Sequence, residues 1–77
     1  MLIGELDMVV LSREVPEHGL RAGDLGTVVH SYQGATAFEV EFVSAVGRTV
    51  AVLTLKDSDV REVRGEEILH VRELSTG

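Results

Sequence analysis

The clearest alternation in the chain is Phe38-Glu39-Val40-Glu41-Phe42. Three apolar side chains point one way and two carboxylates the other, which predicts a half-buried strand over residues 37–43. Four other stretches read as strands with different patterns. Residues 7–15 carry Met8-Val9-Val10-Leu11, an unbroken apolar run that predicts a strand buried on both faces. In residues 27–32, Val28, His30 and Tyr32 share one side, and Thr27, Val29 and Ser31 the other. In residues 49–55, Val50, Val52 and Thr54 stand opposite Ala51, Leu53 and Leu55, so both faces are largely apolar. Residues 60–63 predict a short fifth strand.

The turn signals between these runs set the organisation. Gly23-Asp24-Leu25-Gly26-Thr27-Val28-Val29 predicts a tight corner feeding a strand. Its two glycines are expected at positive φ, with Asp24 capping the turn through a backbone N–H. Pro16 opens a loop over residues 16–22, with Leu20 as its anchor in the core. Residues 33–36 read as a hairpin connection around Gly34, and residues 45–48 as another turn. Residues 56–59 suit one 3₁₀ turn capped by Asp57 or Ser58. Leu2, Ile3 and Leu6 read as a lead-in that packs on the barrel. Residues 66–74 carry both a helical stripe through Ile68, Val71 and Leu74 and a partial strand alternation. The extended reading is preferred, with residues 75–77 frayed. The expected architecture is all-β. It is one domain over residues 1–77, a small barrel of five antiparallel strands over about residues 6–63, and a C-terminal segment over 64–77.

Composition narrows the function classes. A 77-residue chain buries only about 60% of its unfolded surface, so one core must carry most of the stability. Hydrophobic residues make up 44%, too many for a disordered acidic tail. Seven basic residues against thirteen acidic ones give a formal charge of −6, which repels a phosphate backbone at long range. The same charge suits a basic protein partner. The absence of cysteine excludes disulfides and thiolate metal sites and fits a reducing compartment. Residues 1–7 lack a basic region and a long apolar run, so no signal peptide is expected, nor any membrane span. The expected location is cytoplasmic.

No reaction chemistry stands out. His18, His30 and His70 are not spaced as a ligand pair, so no metal site is expected. Asp57 and Asp59 flank Ser58 but lack the glycine and distal glutamate of a calcium loop. Glu39 and Glu41 read as the polar side of a strand, paired with Arg48 or Arg61. The serines have no nucleophile-elbow context. The Gly23–Gly26 stretch is too short for a dinucleotide fingerprint, so no cofactor is expected. Tyr32 is the one aromatic expected at the surface. A single aromatic among acids makes nucleic-acid binding a secondary reading.

The Gly-Asp-x-Gly-Thr-Val-Val corner, then Phe38 to Phe42, then residues 49–55 resemble a bacterial family filed as a domain of unknown function, numbered 4926. Met8 to Leu11 and Leu20-Arg21 also fit its pattern. The resemblance implies an SH3-like barrel. It also implies a small companion encoded beside another protein, as in toxin–antitoxin-type pairs. It brings no catalytic residue. The expectation is a non-enzymatic protein-interaction module, antitoxin-like or regulatory, with a basic partner or a second copy of itself. Arg21, Tyr32, Arg48, Ile68, Val71 and Leu74 are the expected contact surface, an apolar patch with a charged rim. The alternatives are a nucleic-acid or ribosome-associated barrel and an accessory subunit of a metabolic enzyme.

Overall fold

A computed structural model describes residues 3–74. Five strands form one antiparallel sheet: β1 (Met8–Leu11), β2 (Leu25–Ser31), β3 (Ala37–Val43), β4 (Thr49–Lys56) and β5 (Val60–Glu62). Short 3₁₀ turns occupy Pro16–His18, Gln33–Ala35 and Asp57–Asp59. The predicted strands are all present, with ends shifted by a few residues. The 3₁₀ turn after β4 is capped by Asp59, whose Oδ2 accepts the Lys56 N–H at 3.0 Å, rather than by Asp57 or Ser58.

The expected barrel is overturned. The strand order is β4-β3-β2-β1-β5, which leaves β4 and β5 at opposite edges of an open sheet. No ladder joins them. The Asp57–Asp59 turn carries the chain from β4 to the far edge, where Val60, Arg61 and Glu62 pair with Leu11, Val10 and Val9. A three-residue β5 could satisfy only part of the eight-residue β4. Short strands separated by turns are common to barrels and open sheets, so the pattern did not distinguish them. The SH3-like assignment falls with the barrel. The toxin–antitoxin association that came with it has nothing to support it.

One apolar cluster holds the sheet. Val9, Leu11, Val28, Phe38, Val40, Phe42, Ala51, Leu55 and Val60 contribute from the strands, and Ile3, Val15 and Leu20 from the segments around them. β3 keeps its alternation, with all three apolar side chains buried. β1 is buried from Val9 to Leu11, as a run without polar positions requires. β2 loses its simple alternation at a register shift between Val28 and His30, which leaves Val29 and His30 exposed. Leu20 anchors its loop as expected, and an isolated bridge pairs it with Val15. Ile3 packs in the core, whereas Leu6 is exposed. Leu2 and residues 75–77 lie outside the described residues.

The two corner glycines do different jobs. Gly23 has φ +98°, as a tight turn demands. Gly26 does not have a positive φ; it is buried inside β2 against β3. A Cβ there would stand 2.5 Å from Val40 Cγ1 and 2.9 Å from Phe42 Cε1. Both neighbours are core side chains without room to withdraw. Gly26→Ala is expected to lower stability by about 1–3 kcal/mol through overpacking. A denaturant midpoint unchanged by the substitution would contradict this packing account.

Candidate functional site

The site is built on the β1–β2 corner. Gly23 donates its N–H to Leu11 O at 2.7 Å, and Leu11 donates back to Asp24 O at 2.8 Å. Asp24 Oδ2 accepts the Arg21 N–H at 2.8 Å, so the aspartate caps the turn as predicted. The carboxylate also has a distant partner. Arg72 Nε donates to Asp24 Oδ1 at 2.8 Å, and Arg72 Nη2 to Oδ2 at 2.5 Å. Nη2 also reaches Gly19 O at 2.9 Å. This forked geometry is the strong form of a carboxylate–guanidinium pair.

The pair fastens residues 64–74 across the corner. This segment is neither helix nor strand beyond a turn at residues 65–66. A second fork holds its beginning: Arg61 Nη1 and Nη2 donate to Glu67 Oε1 and Oε2 at 2.8 and 2.7 Å. Glu67 Oε1 also accepts the Arg64 N–H at 2.8 Å. The segment is therefore a strap tied at both ends. Ile68 and Val71, between the ties, are 93% and 88% exposed.

Electrostatics follow from these contacts. Burial alone would raise the Asp24 pKa. The Arg72 fork, the Arg21 N–H and both positive charges outweigh it and hold the carboxyl below its ordinary value. Glu67 is lowered from 4.5 to about 2, chiefly by the Arg61 fork and then by the Arg64 N–H. Hydrogen bonding to Glu39 raises the Tyr32 hydroxyl above its usual range.

Beneath the strap lies a groove of about 370 Å³. Leu25, Phe42 and Val50 line it from the sheet, and Val71, Arg72 and Leu74 from the strap. A depression of about 570 Å³ beside it is walled by Glu14, Pro16, Glu17 and Arg21 and borders Val50. Among the described residues no three His, Asp or Glu side chains converge as metal ligands, and no helix is long and apolar enough to cross a membrane. Asp24 is ionised and engaged by three donors, so its geometry is that of a latch.

The six predicted contact residues are not one patch. Val71 and Leu74 line the groove, Ile68 sits above a smaller cleft beside it, and Arg21 walls the neighbouring depression. Arg48 lies in the β3–β4 turn, whose Ser44 and Ala45 also line the groove. Tyr32 is separate. It follows the opposite end of β2, about 20 Å along the strand from Leu25. There its ring meets His30 edge-on at 4.8 Å, and its hydroxyl donates to Glu39 Oε1 at 3.0 Å.

Two pairings differ from expectation. Glu39 is held by Tyr32 and Thr54, and Glu41 by Thr49, while Arg61 is committed to Glu67. A strand side chain pairs first with its cross-strand neighbour, and Glu39 faces Thr54. The Asp24–Arg72 latch itself was not foreseen. Its partners are 48 residues apart, and no local spacing signals such a pair.

Two outcomes are expected. Arg72→Ala should speed amide exchange and proteolysis in residues 64–74 and cost about 1–2 kcal/mol, because a part-buried carboxylate loses its fork. Protection that stays unchanged would remove the latch. The Glu67 tie, with its lowered pKa, is fully present above pH 4.5 and weakens as pH falls toward about 2. A carboxyl titration by NMR should find Glu67 low in the native chain and shifted upward in Arg61→Ala.

The family described as "Domain of unknown function (DUF4926)" covers residues 5–62. No curated protein and no solved structure matches the chain. The matched span takes in the Asp24 corner and all five strands, and the strap's Arg72 lies beyond it. The chain is therefore a member of the DUF4926 family, a five-stranded open sheet with a latched C-terminal strap.

Proposed function

We propose that this protein is a non-enzymatic protein-interaction module of the cytoplasm. The observation that carries the reading is the strap. Two forked ion pairs hold it in place, and between them Ile68 and Val71 present apolar side chains to solvent. An apolar residue on a loose tail is ordinary. On a tied segment its presentation is preorganised, which reduces the ordering cost of association. Arg21, Arg48 and Leu74 lie around the same end of the sheet and supply a mixed rim. The charge of −6 favours a basic partner.

Nucleic-acid binding through Tyr32 has less support. Its hydroxyl is bonded to a carboxylate, which repels the phosphates that a stacked base would bring. No observation favours an accessory role to a metabolic enzyme.

The test is a native mass measurement on the chain purified from its own cells, beside Ile68→Ser/Val71→Ser. A stoichiometric complex with a second protein is expected. The double variant should keep its thermal midpoint, because both side chains are exposed, and bind that partner about tenfold more weakly. Recovery as a lone chain, or unchanged affinity in the variant, would refute the reading.

A further inference from the structure

The open sheet has two edges, and they differ. β5 is three residues long, whereas β4 has eight and contains neither glycine nor proline. The phase of the β3–β4 ladder is fixed where Asp57 donates to Thr36 O at 3.1 Å. By alternation Leu55, Leu53 and Ala51 turn their backbone groups toward β3, opposite Phe38, Val40 and Phe42. Val52 and Thr54 therefore turn theirs outward. Lys56 has the same phase, and its N–H is taken by Asp59. Among the described residues no backbone hydrogen bond reaches the outward groups of Val52 or Thr54. Protein edges are usually blunted by lysine, proline or a bulge. Here Lys56 and the bulge near Val43 lie at the two ends of β4 and leave its middle open.

The side chains beside that edge select for charge. Glu39 stands across from Thr54, and Glu41 across from Val52. Their described partners are hydroxyls, from Tyr32, Thr54 and Thr49, which hold the carboxylates in place without neutralising them. A strand added beside β4 would lie about 10 Å from β3. Lysine or arginine side chains can span that distance across small residues such as Val52, which is 49% exposed, and Thr54. A second copy of the chain would instead bring another −6 of charge and its own carboxylate row.

We propose that β4 is a docking edge, which takes an extended basic segment of a partner protein as a sixth, antiparallel strand. Backbone bonds to Val52 and Thr54 supply the register, and Glu39 and Glu41 supply the preference for lysine or arginine. The proposal rests on the interaction reading above and adds to it a second contact, distinct from the strap, for an extended segment of that partner.

The test uses the full ¹⁵N-labelled chain and a blocked peptide of alternating lysine and valine. Amide shifts should centre on Val52 and Thr54, and exchange of those two amides should slow. Methylating the backbone nitrogen of each lysine keeps the charge and should weaken binding about tenfold. A glutamate–valine peptide should not bind. Glu39→Gln/Glu41→Gln keeps the oxygen acceptors and should weaken the lysine peptide about threefold. Shifts centred elsewhere, equal binding of the methylated peptide, or concentration-dependent β4 shifts without peptide would overturn the proposal. If the native complex forms but no peptide engages β4, the edge is refuted while the interaction reading stands. If neither associates, both are refuted.

Discussion

The Asp24 carboxylate organises the end of the sheet where most of the candidate contacts lie. Its backbone ties β1 to the corner, its side chain caps the turn at Arg21, and the same side chain receives the Arg72 fork. These roles reinforce one another. A carboxylate already aimed by its own turn loses little further freedom when the guanidinium arrives. The Arg61–Glu67 fork fastens the other end of the strap, and the segment between stays in place without helix or strand. One local fork and one between distant residues thus do for residues 64–74 what a ladder does for a strand.

A small chain has to balance an adequate core against exposed edges. This one builds its core on one face of the sheet, with Val15, Leu20 and Ile3 brought in from loops. Closure into a barrel would have removed the edges, but the turn after β4 sends the chain to pair with β1. The long β4 edge is left flanked by Glu39 and Glu41. Negative charge near an edge hinders pairing between identical chains and admits a basic strand. The open sheet and the acidic balance therefore support the same kind of role.

The corner and the strap both place opposite demands on neighbouring residues. Gly23 must be in a left-handed turn, while Gly26, three residues on, must be small so that Val40 and Phe42 can close over β2. Ile68 and Val71 are exposed because Arg72 and Glu67, their neighbours, face the body of the protein. A tied irregular segment turns its side chains where its ties dictate, independent of any periodicity.

The local pattern by itself determined the five strands, the core face of β3, the buried β1, the Asp24 turn and the anchoring Leu20. Each depends on neighbours a few residues apart, the range over which alternation and turn chemistry act. Tertiary structure decided the rest: the open order with β4 and β5 at its edges, the hydroxyl partners of Glu39 and Glu41, and the strap fastened by Arg72. Strand order depends on which edges meet after the chain has turned. A latch across 48 residues exists only once the corner has been built, so neither leaves a periodic trace in the sequence.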